Sequence, residues 1–235
     1  MPCCSRRFDV TGLVSPMRTM RGLPGRQGSG RGGAARAYPD GVPLTGSNYI
    51  WAPDANPLDI TGDLEIVIKV APTSWTASEQ VLVAKEQSTS TRTFRFAFTT
   101  ASKPYLAFSI DGSTPITALS ANAVAFSAAE TAWLKVTRAS ATGSVVFSTA
   151  TNQASEPSSW TPLSTVASTS GALFSGSSIL EVGARSGGTV QRLTGNVFRV
   201  IVRNGIGGST VADFDSQLSG RTGYTDAFGN VWTIT

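Results

Sequence analysis

The chain has 235 residues, 40% of them hydrophobic and only 14% charged, with a formal net charge of +4 and no histidine. That length accommodates one large domain or a domain plus an appendage, and the hydrophobic share suffices for a packed core. The same totals exclude histidine-based acid–base chemistry, and no stretch approaches the ~20 apolar residues of a membrane span.

The first element in chain order is a basic arm, residues 1–40. Residues 1–37 hold Arg6, Arg7, Arg18, Arg21, Arg26, Arg31 and Arg36 against Asp9, a net of +6. Of 19 basic and 15 acidic residues in all, 12 and 14 are left for residues 38–235, a net of −2. The arm is therefore basic and the body slightly acidic. "RGLPGRQGSGRGG" (residues 21–33) has no strand-like run and cannot fold alone, so it is read as extended, either flexible or ordered by a partner. Arg–Gly tracts contact nucleic-acid phosphates, but no aromatic lies between Phe8 and Tyr38 to stack on bases. Phe8 and Leu13, with neighbouring apolar residues, offer anchors that a nucleic-acid tail does not need. Docking on a protein partner through these residues and the seven arginines is the favoured reading, and nucleic acid the lesser one. Cys3 and Cys4 are adjacent and cannot staple the body. Met17 and Met20 stand beside Met1 as alternative translation starts.

From about Ser47 the pattern changes to period two. "DLEIVIKV" places Leu64, Ile66, Ile68 and Val70 on one face and Asp63, Glu65, Val67 and Lys69 on a solvated one. "RTFRFAFTT" groups Phe94, Phe96 and Phe98 opposite Arg95 and Ala97. "PYLAFSI" and "PITALS" follow, around an Asp111-Gly112-Ser113 turn. "AWLKVTR" and "SVVFSTA" flank "ASATG" as a hairpin, with Trp133 a core tryptophan. "SILEVGA", "NVFRVIVRN", "TVADFD" and "NVWTIT" complete a series of ten or more strands, with Gly143, Gly183 and Gly195 at turns or bulges and Asp213 and Asp215 facing out around Phe214. "AVAFSAAE" (residues 123–130) has room for one helical turn at most. So many short strands and so little helix predict an all-β fold: a two-sheet antiparallel jelly-roll sandwich over residues 41–235.

Five stretches, "LDITGDLEIVIKVAPTSW", "AWLKVTRASATGSVVFSTA", "LEVGARSGG", "RLTGNVFRVIVRNGIGGSTVADFD" and "TDAFGNVWTIT", together resemble the laminin-G-like, concanavalin A-like jelly-roll domains of tailed-phage virion proteins, actinobacteriophage-type especially. The resemblance covers roughly residues 40–235. It implies a capsid decoration, minor capsid or minor tail protein on the exterior of head or tail, synthesised in the host cytoplasm. The arm would then dock on the major capsid or tail protein, and the jelly roll would face outward, alone or as a homo-oligomer.

Three functions compete. Glycoside hydrolysis on this fold needs two carboxylates about 5 Å apart. Asp63/Glu65 and Asp213/Asp215 are the nearest pairs, each without a third acid and each more simply the solvent side of a strand. Glycan binding needs exposed aromatics; Trp51, Trp75, Trp160 and Tyr105 lie near strand ends, and Trp75, Trp160 and Tyr105 are the candidate platform. Calcium enters only by family analogy, with no ligand set identifiable, so no cofactor is assigned. A non-enzymatic virion structural protein needs none of these residues and is the leading expectation, host-surface glycan binding the alternative, and hydrolysis the least favoured.

Overall fold

The computed structural model describes residues 38–235, so the expectations placed on residues 1–37 lie outside the described residues. The strands in chain order are β1 (Val42–Thr45), β2 (Ile50–Ala52), β3 (Leu64–Pro72), β4 (Gln80–Lys85), β5 (Phe94–Phe98), β6 (Pro104–Phe108), β7 (Ile116–Leu119) and β8 (Ala132–Arg138). They continue with β9 (Ser144–Thr151), β10 (Thr161–Ala167), β11 (Leu180–Val182), β12 (Thr194–Asn204), β13 (Ser209–Asp215), β14 (Gly223–Thr225) and β15 (Val231–Ile234). The described helical content is one 3-10 turn, Asn56–Leu58; residues 123–130 form no helix.

Two antiparallel sheets result. One has seven strands, ordered β1-β12-β3-β8-β9-β10, with β13 also on β12. The other has eight, ordered β14-β15-β2-β11-β4-β5-β6-β7. Because β12 is eleven residues long, its one free edge takes both β1 (at Thr194–Val197) and β13 (at Arg199–Asn204).

Period-two alternation fills the space between the sheets. Leu64, Ile66, Ile68 and Val70 of β3 and Phe94, Phe96 and Phe98 of β5 join one core cluster. Phe96 and Phe147, from opposite sheets, stack at 6.4 Å between centroids. Each such side chain contributes roughly 1.5–3 kcal/mol by leaving water. The hairpin β8–β9 forms as its sequence predicts. Gly143 in its turn has φ +70°, and a Cβ there would lie 2.2 Å from the Ser168 carbonyl oxygen, so only glycine fits. Gly183 and Gly195 also have positive φ.

The structure corrects the outer face of β3. Alternation predicts a solvated surface, yet Val67 and Glu65 are buried at 0% and 5% exposure. Val67, Trp133 and Ile201 form a second apolar cluster there, with Trp160 packed against it. Trp133 is thus fully buried, but outside the sandwich core. Two cations are also buried inside the fold. Lys85 reaches Asp54 at 2.7 Å and Asp59 at 3.4 Å and donates to the Gly176 carbonyl oxygen. Arg138 donates to the Thr169 and Gly171 carbonyls at 3.2 and 2.8 Å.

Candidate functional site

The three aromatic residues singled out in the sequence lie in three different places. Trp75 is a correction: expected exposed between polar neighbours, it is 3% exposed and packs on Phe98 and Phe126 at 5.2 and 5.8 Å. Its indole N–H donates to the Ser127 carbonyl at 3.1 Å, which satisfies the one polar atom that would have favoured the surface. Trp160 is half-buried on the outer face of the seven-stranded sheet, its ring under the Lys135 ammonium at 4.4 Å. Tyr105 lies on the outer face of the other sheet, 3% exposed, and donates its hydroxyl proton to Glu79. Burial and that carboxylate push the phenol well above its ordinary range.

The outer face around Tyr105 is where chemistry converges. Strand pairing places Thr233, Trp51, Glu181, Ala84, Arg95, Ala107 and Thr117 in one row across six strand junctions. The next row holds Val81, Ala97, Tyr105 and Leu119. Ala84, Ala97 and Ala107 form a floor of small side chains, packed with Val81 and Tyr105. Over β5 to β7 lies a bay of about 180 Å³, lined by Glu79, Arg95, Thr99, Tyr105, Thr117 and Leu119. Leu119 is 44% exposed and supplies an apolar ledge. The Arg95 guanidinium lies 5.5 Å from the Tyr105 ring centroid.

At the other side of Arg95 stands Glu86. Its carboxylate faces Arg92 at 3.0 Å, Arg95 at 3.3 Å and Arg185 at 3.6 Å. The sequence signal for this cluster was weak, because the four residues come from β5, two loops and the end of β4, spread over a hundred positions. Period-two alternation shows only that Arg95 faces out.

Glu181, on β11, is fully buried on the same face. The Gly188 N–H donates to its Oε1 at 2.7 Å, while its Oε2 is buried with no hydrogen-bond partner. Burial pushes this carboxyl up to about 7, against the backbone N–H groups of Gly188, Gly187 and Ser186, which favour its charged form. Gly188 is pinned over it: a Cβ there would meet the Tyr49 ring at 2.2 Å.

The other acids weighed for catalysis have structural partners. Asp63 accepts from the backbone N–H and hydroxyl of Ser140 at 2.7 and 2.8 Å, and these bonds hold its carboxyl below the ordinary range. Glu65 pairs with Arg203, which also takes Glu156. Asp213 receives both nitrogens of the Arg199 fork at 2.9 and 2.8 Å, and Asp215 accepts from the Gln217 N–H. Asp213 and Asp215 do face outward around a buried Phe214. Asp226, unnoticed in the sequence, accepts from the N–H groups of Asp213, Phe228 and Asn230 and from the Trp232 indole at 3.0 Å. Burial opposes its charge, but these bonds prevail and hold its carboxyl low.

Among the described residues no three His, Cys, Asp or Glu side chains gather as a metal-ligand set. Where Asp54, Asp59 and the Gly176 carbonyl converge, the cation is the Lys85 ammonium. The chain's own residues therefore do not fit calcium at that cage. A surface depression of about 460 Å³ is lined by Thr61, Gly62, Ser140, Ala141, Ser170, Gly171 and Ala172 and presents no charged or aromatic side chain.

No protein-family model matches the chain, and no curated protein matches it by sequence. Among solved structures, the CBM40 domain of the IT-sialidase of Ruminococcus gnavus, bound to α2,3-sialyllactose, is similar with a TM-score of 0.52 at 14% identity, over 71% of this chain and 90% of that one. The same domain bound to α2,6-sialyllactose gives 0.50 at 15% identity over the same shares. Domains LG4-5 of the mouse laminin α1 chain give 0.49 at 16% identity, over 69% of this chain and 40% of that one. At these identities the likeness to the Ruminococcus gnavus domain establishes the fold, a jelly-roll sandwich.

Proposed function

We propose that this chain is a non-catalytic glycan-binding jelly roll whose ligand sits on the outer face of the eight-stranded sheet. The observation that carries the reading is the bay itself. Exposed Leu119 gives a sugar ring apolar contact, and Thr99, Thr117, Glu79 and Arg95 surround the bay with donors and acceptors. Concave sites with an apolar surface and a few convergent polar groups are the usual form of small-ligand recognition. The Ruminococcus gnavus domain of the same fold, solved with sialyllactose, supports the reading from outside. The carboxylates weighed for hydrolysis, Asp63, Glu65, Asp213 and Asp215, are each engaged in caps or ion pairs, which agrees with binding and not bond cleavage. A glycan array with the full chain tests this. Leu119→Ala is expected to weaken binding several-fold, and Trp160→Ala, on the opposite sheet, to leave it unchanged. An array on which nothing binds sinks the proposal.

A second reading concerns location. The split between a +6 arm and a −2 body, together with the virion-protein resemblance, supports a protein carried on the exterior of a phage head or tail. On this proposal residues 1–37 dock on the capsid or tail protein and the jelly roll projects outward. Deleting residues 1–37 is expected to leave a cooperatively melting β-rich domain that no longer joins particles. Incorporation of the truncated chain would refute it.

A further inference from the structure

We propose that the Arg92, Arg95 and Arg185 cluster around Glu86 is the subsite for a carboxylate carried by the bound saccharide. The inference rests on the glycan-binding reading and assigns the ligand's chemical class.

The first argument is charge balance. Three guanidiniums meet one carboxylate, and the contacts lengthen from 3.0 to 3.3 to 3.6 Å as the single acid is shared. Arg92 has a further acceptor in the Ser113 carbonyl, and Arg185 one in the Gln191 side chain at 2.6 Å. Arg95 also reaches the Tyr105 hydroxyl, while its Nε is buried without a hydrogen-bond partner. The Arg185 guanidinium is pushed below its ordinary range, by burial first and by repulsion from Arg95 next. Like charges held this close in a partly desolvated place are costly unless a second anion joins them.

Access is the second argument. The side chains of Arg92, Arg95 and Arg185 are 21%, 14% and 22% exposed, whereas Glu86 beneath them is 6% exposed. The acid thus orients the guanidiniums from below and leaves part of each open above. Arg95 borders the bay directly, so an acid group on a ring seated against Leu119 and Tyr105 would meet the cluster without a long spacer. The planar fork of arginine matches the two oxygens of a carboxylate through paired N–H bonds. The other acids on this face are Glu79, bonded to the Tyr105 hydroxyl, and Glu181, which lies two strand spacings, about 10 Å, from Arg95 and is favoured in its charged form by Arg185.

The test is calorimetric titration of the full chain with lactose, sialyllactose, sulfated lactose and sodium acetate. Arg185→Gln and Arg95→Gln serve as variants, with melting curves to check folding. Keeping residues 1–37 in every sample holds the arm's charge constant. Sialyllactose is expected to bind roughly tenfold or more tightly than lactose, as one charge-assisted contact implies. That preference should weaken with salt and collapse in folded Arg185→Gln, with Arg185→Lys restoring only part of it. Equal binding of lactose and sialyllactose overturns the carboxylate subsite while leaving the glycan reading intact. A sulfated sugar bound as tightly as sialyllactose overturns the assignment to a carboxylate. Acetate alone binding as tightly shows an anion site without sugar recognition, and a preference unchanged in both folded variants removes the cluster from the site. If no sugar binds, the glycan reading itself fails.

Discussion

Replacing Glu181 with glutamine isolates the energetic consequence of a buried acid. The wild-type carboxyl titrates at about 7 in the folded chain, against an ordinary value of 4.5, because burial disfavours its charge. Between those two pH values the folded chain holds a proton that the unfolded chain has released. Stability therefore falls as pH rises through that window and levels off above about 7. At 1.36 kcal/mol for each pH unit, the fall amounts to about 3 kcal/mol. Glutamine keeps the shape and can still accept the Gly188 N–H, but it does not titrate. Its amide adds a constant offset and no slope. Urea unfolding of both proteins from pH 4 to 8.5 gives the difference in stability at each pH, in which titrations common to both cancel. The chain has no histidine, so imidazole does not cloud the window. The wild type is expected to lose about 3 kcal/mol relative to Glu181→Gln across it. A difference that stays constant with pH would refute the reasoning and place the carboxyl in contact with water.

Three further outcomes are expected. Trp75→Ala should lower stability by about 3–5 kcal/mol in denaturant unfolding, as for a large buried aromatic, and leave glycan binding by the remaining folded protein unchanged. Asp226→Ala strands several buried donors, so stability should drop by about 3 kcal/mol near neutral pH; because its carboxyl is held low, the difference from wild type should shrink as the pH falls toward and below the ordinary carboxylate range. Gly195→Ala, at φ +133° with the Ala71 carbonyl oxygen 2.2 Å from the new Cβ, should destabilise by about 2 kcal/mol or more, visible as a lowered Tm.

The legibility of the strands followed their length and their burial on one side. β3 and β5 alternate over enough residues to announce themselves, and their inward faces are those that alternation predicts; β12 is long, but a bulge between Val197 and Arg199 breaks its period. Five strands had no such signature. β1, β2 and β14 are three or four residues long, below any useful period. β4 is buried on both sides, so it does not alternate at all. β10 carries Pro162 and is mostly solvated, as an edge strand is. The outer face of β3 was misjudged for a related reason: Glu65 looks like a solvent residue until Arg203, far along the chain, lies across it.

The sequence by itself determined the charge split between arm and body, the all-β class and the inward faces of β3 and β5. Each of these depends on composition or on neighbours two residues apart. Only the tertiary structure decided what the outer faces do. It buried Trp75, separated Trp160 from Tyr105 onto opposite sheets, and brought Arg92, Arg95 and Arg185 around Glu86. Contacts between neighbouring strands and loops join residues tens of positions apart, and no local period encodes which of them will meet.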